Sequence, residues 1–252
     1  MNIIINELEI TAGDRKIYGK LYAPEKEGRY PAVILCHGYN GVNTDWVEEC
    51  SYYAAHGYIS YSFDFCGGSV RSKSSGKSTD MTVTTEKKDL LAVLDYIKAM
   101  DNVDEERIVL FGGSQGGLVA ALAAAERADE VRALAMYFPA FCIPDNWKSK
   151  YPTADDAPEE FDFWGLTLGK GFINDVCNID VFNTIGGFKG NVFILHGDKD
   201  DIVPFSYSER AVKTYEQAVL IKMDNEGHGF SEQGNDKAKK AVLEFMDKEC
   251  KN

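Results

Sequence analysis

The chain has no C-x-x-C pair, no apolar run of membrane-spanning length, only four histidines, and too few basic residues to balance its acids. Each shortage excludes something. Lys and Arg number 27 against 40 Asp and Glu, a formal charge of −13, so no basic face is expected for nucleic acid or for an anionic membrane. The six cysteines (Cys36, Cys50, Cys66, Cys142, Cys177 and Cys250) are widely spaced. In a chain this long they read as reduced, mostly buried thiols, neither a disulfide framework nor a zinc site. Met1 to Glu7 carries no basic stretch, and its apolar run is too short for a signal peptide or a membrane span. The expected location is therefore cytoplasmic. There is no internal repeat and no low-complexity segment.

What is present is an ordinary globular composition, 44% hydrophobic and 12% aromatic, over 252 residues. That length suits one α/β domain. The segments Ile3 to Thr11 and Lys16 to Tyr22 read as strands joined at Gly13-Asp14, an edge hairpin. Ala32 to Cys36 is a compact strand that ends in His37-Gly38-Tyr39-Asn40-Gly41. A helical pattern runs from about Thr44 to His56, followed by a strand from Tyr58 to Phe63. The stretch from Asp64 to Asp80 reads as a mobile surface connection. Within it Gly76-Lys77-Ser78 matches the end of a phosphate-binding loop, but Arg71 stands where that motif needs its first glycine. Leu90, Val93, Leu94, Ile97 and Met100 recur at helical spacing, so about Thr84 to Met100 should lay one face on the sheet.

Further along, Ile108 to Phe111 is a short apolar strand, and an Ala-rich helix follows it. Between them stands Gly112-Gly113-Ser114-Gln115-Gly116-Gly117, a G-x-S-x-G elbow in which only small neighbours can flank a serine on a strained turn. Arg132 to Phe138 is another strand. Strand and helix cease to alternate clearly from Pro139 to Gly190, which holds four of the seven prolines and two of the three tryptophans. The alternation resumes with the strand Asn191 to Leu195, a helix from about Ser206 to Gln217, the strand Val219 to Met223 and a final amphipathic helix. Strands alternating with helices imply a mainly parallel sheet covered on both faces, with its chemistry at the strands' carboxyl ends.

A serine hydroxyl is a poor nucleophile at neutral pH, so the elbow calls for a histidine base and a carboxylate that orients it. Only His196 and His228 follow Ser114. His196 ends a strand with no acid between, and reads as a structural histidine; His228, in the loop after the last strand, is the candidate base. Asp198, Asp200 and Asp201 all stand where the acid could be. The hydrolytic transition state also needs N–H donors for its oxyanion. One is the backbone N–H of Gln115, just after the nucleophile.

Together, His37-Gly38-Tyr39, Gly112-Gly113-Ser114-Gln115-Gly116, Gly197-x-x-Asp200-x-x-Val203-Pro204 and His228-Gly229-Phe230 resemble the α/β-hydrolase superfamily over nearly the whole chain. The resemblance implies an α/β-hydrolase fold, a mostly parallel sheet of about eight strands flanked by helices. It further implies a single domain over 1–252, with 139–190 inserted as a cap. By its motif the acid is Asp200, and Tyr39 supplies the second oxyanion N–H. A narrower likeness is to bacterial cinnamoyl and feruloyl esterases, carried by the Gly-Ser-Gln-Gly-Gly elbow, the Asp64-Phe65-Cys66-Gly67-Gly68-Ser69 loop and the placement of the insertion. In that loop Asp-Phe-Cys-Gly-Gly replaces the commoner Asp-x-Arg-Gly-x-Gly. The likeness implies a serine esterase without cofactor or metal, acting on small aryl esters such as feruloyl, p-coumaroyl or caffeoyl esters, with Asp145, Tyr151 and Trp164 as candidate substrate contacts. Aromatics in the insertion serve equally as its miniature core. Other small acyl esters, thioesters, a peptidase-like activity or a non-catalytic binding protein remain competing readings, and a homodimer is left open.

Overall fold

The computed structural model of the chain describes residues 1–251, with Ala154 described by its backbone alone. Ten strands and eight α-helices are found among them. An antiparallel hairpin, β1 (Ile3–Ala12) and β2 (Arg15–Pro24), turns at Gly13-Asp14. It leads to β3 (Tyr30–Cys36), a short 3-10 turn at Asn43–Trp46, α1 (Val47–Ala55) and β4 (Ile59–Phe63). Then come α2 (Val83–Lys98), β5 (Val103–Gly113), α3 (Gln115–Glu126) and β6 (Ala133–Tyr137). The inserted segment contains α4 (Ile143–Lys150), a two-stranded hairpin of β7 (Glu160–Phe163) and β8 (Leu166–Gly169), α5 (Lys170–Cys177) and α6 (Val181–Ile185). β9 (Asn191–Gly197), α7 (Phe205–Thr214), β10 (Ala218–Met223) and α8 (Glu232–Cys250) complete the chain.

Eight strands form one sheet in the order β1-β2-β4-β3-β5-β6-β9-β10, antiparallel only at β1-β2 and β2-β4. This is the α/β-hydrolase arrangement expected from the sequence. Both faces are buried, which explains why the inner strands read as unbroken apolar runs. Side chains alternate across the pleat. Ile34, Leu110, Met136 and Ile194 join a core with α2 and α3, while Leu35, Phe111, Ala135 and Leu195 join one with α1 and α8. Most differences from the expected boundaries are of one or two residues at an end. β5 is longer than expected, because it starts at Val103 and shifts register against β3 between Tyr30 and Ala32.

The insertion does have regular structure, in short pieces that single-period patterning cannot register. In its hairpin Trp164 and Gly165 take φ of 48° and 77°, the two positive values that a tight two-residue turn requires. The Asp64–Asp80 stretch departs further from expectation. Asp64, Phe65 and Cys66 are buried, and Asp64 is held by the backbone N–H groups of Asn43 and Lys73 at 2.7 and 2.8 Å. Asp89 accepts the Cys66 N–H at 2.8 Å. The first half of this stretch is therefore a packed, bonded loop; its polar composition serves those internal bonds. Among the described residues no helix is long and apolar enough to cross a membrane.

Where the sheet meets α3, backbones touch. A Cβ on Gly116 would lie 2.4 Å from the carbonyl oxygens of Cys36 and His37, whereas one on Gly171, in α5, would meet nothing within 4 Å. Gly116→Ala should lower unfolding stability by about 1–3 kcal/mol, and Gly171→Ala should be neutral or slightly stabilising, as measured by chemical denaturation.

Candidate active site

The elbow forms because β5 ends in glycines that let α3 start close beneath β3. Ser114 sits at the N-cap of α3 with φ 53° and ψ −122°, a left-handed conformation that costs a non-glycine residue energy. Its neighbours hold it there. The Ser114 N–H donates to Tyr137 O at 3.0 Å, and the Ser114 carbonyl accepts from Gly117 and Ala140 at 3.0 and 2.9 Å. The turn lifts the hydroxyl above the carboxyl ends of the strands.

Two loops meet it there. His228 lies between β10 and α8, and its Nε2 is 3.1 Å from Ser114 Oγ; its Nδ1 is 2.8 Å from Asp200 Oδ2. Phe138 lies against the imidazole at a centroid distance of 4.6 Å. Asp200, in the loop after β9, has a fully buried side chain. Its second oxygen accepts the N–H groups of Ile202 and Val203 at 2.9 and 2.8 Å. Burial alone would raise the Asp200 carboxyl, but hydrogen bonds from His196, His228 and the Val203 N–H outweigh it and hold the group well below the usual carboxylate range. Of the three candidate acids, Asp200 alone reaches His228: Asp198 bonds the Asn225 N–H, and Asp201 lines the cavity. A hydroxyl, imidazole and carboxylate so joined can make the serine oxygen nucleophilic.

Tyr39 and Gln115 flank Ser114 in one cavity. Neither backbone N–H donates a hydrogen bond among the described residues. The loop bearing Tyr39 is fixed from both sides. His37 is buried and its Nε2 accepts the Phe65 N–H at 3.1 Å, so Nδ1 carries the proton and donates to Gly38 O at 2.7 Å; burial lowers the pKa of this ring in keeping with a neutral form. The Tyr39 hydroxyl donates to Phe163 O at 2.7 Å, tying the loop to the hairpin of the insertion. Beneath Gln115, its side-chain amide donates to the Glu86 carboxyl at 2.8 Å. Burial pushes Glu86 up to about 8, against the opposing hydrogen bond from Gln115.

The cavity beside Ser114 holds about 310 Å³, enough for a small ligand. Its far wall comes from the insertion, with Trp147, Phe163, Trp164 and Phe172 joined by Asn146 and Lys150. Trp164 therefore stands where a substrate contact was expected, 62% exposed and stacked on Phe163 at 4.8 Å. Asp145 and Tyr151 do not line this cavity. On α4 the cavity-facing positions are Ile143, Asn146, Trp147 and Lys150, one stripe at helical spacing. Asp145 falls off that stripe and accepts the Tyr207 hydroxyl at 2.8 Å. Tyr151 lies past the helix end, stacked on Trp147 at 6.0 Å. Reading the 3.6-residue period along α4 would have picked Asn146 and Lys150 instead. The aromatics serve both duties weighed from the sequence: Trp147 and Phe172 are buried core and cavity wall at once.

Sheet order and the strand-to-helix elbow define the α/β-hydrolase fold. The chain belongs to the prolyl oligopeptidase family, which it matches over residues 42–252. Among solved structures it is similar to Est1E from Butyrivibrio proteoclasticus with ferulic acid bound, at 27% identity and a TM-score of 0.87, covering 97% of this chain and all of that one. Among curated proteins it is similar to the prolyl endopeptidase of Elizabethkingia meningoseptica, 23% identical over 232 residues, 81% of this chain and 30% of that protein. The quorum-quenching protein AidA of Acinetobacter baumannii (strain MDR-ZJ06) is 26% identical over 116 residues, 44% of this chain and 36% of that protein. The chain thus spans about a third of the length of the curated relatives it matches.

Glu86 carries a pH consequence. Its folded pKa of about 8 lies above the value of an unfolded glutamate, so its neutral form favours folding at acidic pH and that contribution is lost as pH rises toward and through 8. Glu86→Gln keeps the neutral amide contact at all pH values. Melting temperatures from pH 5 to 9 should show the variant gaining on the wild type as pH rises; a difference independent of pH would contradict a neutral Glu86.

Proposed function

We propose that the chain is a serine carboxylesterase whose acyl groups are hydroxycinnamates such as ferulate, p-coumarate or caffeate. The observation that carries the reading is the Ser114–His228–Asp200 chain opening into an aromatic-walled cavity of about 310 Å³. In this mechanism His228 Nε2 takes the Ser114 proton as Oγ attacks the ester carbonyl. The backbone N–H groups of Tyr39 and Gln115 receive the oxyanion. Asp200, held ionised, fixes the imidazole tautomer and stabilises the imidazolium. His228 then returns the proton to the alcohol as it leaves, and water, deprotonated by the same ring, cleaves the acyl-enzyme to free acid and serine. No redox step or cofactor enters.

The substrate class is supported by the wall that Trp147, Phe163, Trp164 and Phe172 form over the nucleophile and by the likeness to Est1E holding ferulic acid. Flat aromatic acyl groups stack favourably on such a wall. Residues 139–190 act as the cap that supplies it. Peptide-bond cleavage is the second reading, favoured by the family match and the prolyl endopeptidase likeness.

Comparing kcat/KM on methyl ferulate, p-nitrophenyl butyrate and a proline p-nitroanilide peptide decides between these. The esterase reading expects methyl ferulate to lead by at least about tenfold, the worth of one good aromatic contact; a leading peptide substrate would replace it. Ser114→Ala should fold normally and lose at least about 10³-fold in kcat, and undiminished turnover would refute the mechanism. Asp200→Asn should slow turnover by about 10⁴-fold, far more than Asp198→Asn or Asp201→Asn, and the reverse ranking would reassign the acid.

A further inference from the structure

The buried carboxylate of Asp200 has a second imidazole on it. His196, the penultimate residue of β9, is fully buried, and its Nε2 lies 3.2 Å from Asp200 Oδ2, the same oxygen that meets His228, and 3.0 Å from Val203 O. Both are acceptors, so Nε2 carries a proton. The opposite nitrogen, Nδ1, lies 2.7 Å from the hydroxyl of Ser208, which is itself fully buried on α7. In a neutral ring Nδ1 is the acceptor and Ser208 the donor. Phe205 closes one face of the ring at 5.3 Å.

We infer that His196, anchored by Ser208, is a positioning residue for the Ser114–His228–Asp200 chain, and that it sets the orientation and charge of the carboxylate on which His228 depends. The inference rests on the esterase mechanism above and extends it to a residue outside the three. Three N–H groups donate to the carboxylate, His228 on Oδ2 and Ile202 and Val203 on Oδ1, and His196 Nε2, whose one proton is shared with Val203 O at 3.0 Å, lies 3.2 Å from Oδ2. With these groups in place Asp200 has one orientation, its Oδ2 turned to His228. His196 also competes with His228 for the negative charge on Oδ2. A contact with an ionised acceptor is strong in a buried site, so it moderates how firmly Oδ2 holds the imidazole of His228. The two imidazoles are the only basic groups within 4 Å of the carboxylate among the described residues. The other groups facing this cluster are the Cys142 thiol at the start of α4, which senses the Asp200 charge, the Ser208 and Ser114 hydroxyls, and the Phe138 and Phe205 rings.

A pair of amide substitutions separates this role from simple packing. The Gln side chain places an amide N–H where His196 Nε2 stands, and so keeps a donor on Asp200. The shorter Asn reaches only the Nδ1 position, toward Ser208. With p-nitrophenyl butyrate as substrate, His196→Asn should lower kcat about 10- to 100-fold, the range known for outer partners that orient metal-bound imidazoles, with KM within about twofold. The acid limb of its kcat/KM profile should move to higher pH by about half a unit, because an Asp200 with fewer donors attracts the His228 proton more strongly. His196→Gln should recover most of kcat and return the limb toward its wild-type position, and Ser208→Ala should shift it in the same sense as Asn by less. Equal losses in the two amide variants, an acid limb unmoved in His196→Asn, or failure of both to fold would assign the ring to packing and overturn the inference. If Ser114→Ala abolishes turnover while the His196 pair behave alike, this inference alone falls; turnover that survives Ser114→Ala removes the mechanism on which it rests.

Discussion

The close approach of backbones at the elbow is the constraint on which the rest of the site depends. Gly116 lies against the carbonyls of Cys36 and His37, and a Cβ on Gly112 would be 2.2 Å from Gly116 O, so β3, β5 and α3 meet with no side chain between them. That contact fixes the distance from the Ser114 hydroxyl to the His37-Gly38-Tyr39 loop, where a Cβ on Gly38 would sit only 3.3 Å from Ser114 Cβ. The strained backbone of Ser114 persists because Tyr137, Gly117 and Ala140 bond both its N–H and its carbonyl. A rigid turn of this kind aims one oxygen at one place, which a nucleophile must have before a base can serve it.

Around that point the molecule is tied together by polar contacts that cross between layers. The insertion is not an independent lobe laid on the sheet: its hairpin accepts the Tyr39 hydroxyl, and the ring of Tyr39 meets Phe163 edge-on at 5.2 Å. The wall of the cavity and the loop beside Ser114 therefore hold each other in place. Below, Glu86 and Asp89 on α2 reach up to Gln115 and to the Cys66 N–H. These buried acids are satisfied by amide donors and by Arg15, as groups withdrawn from water must be.

Much of this was legible in the residues themselves. Unbroken apolar runs located the inner strands, which are buried on both faces, and period-3.6 patterning located helices such as α2 that lay one face on the sheet. The elbow, the Gly197-to-Pro204 run and His228-Gly229-Phe230 are local devices with fixed backbone geometry, so they pointed to Ser114, Asp200 and His228, which the fold brings into contact. What escaped the sequence depends on tertiary placement. Asp64 to Ser69 resembles a loose loop because its polar groups are bonded to residues far away in the chain. Asp145 looked suitable by type alone, whereas the direction of its side chain from α4 decides its partner. His196 read as structural because its neighbour in sequence is a strand, and only the turn of the following loop brings Asp200 back onto it.

The most direct measurement of the central claim is covalent: treat the purified chain with a fluorophosphonate and map the modified peptide by mass spectrometry. The account predicts one phosphonyl group per chain, on Ser114, with the rate of labelling greatly reduced in His228→Ala. A label on another residue, or none on a folded chain, would contradict it.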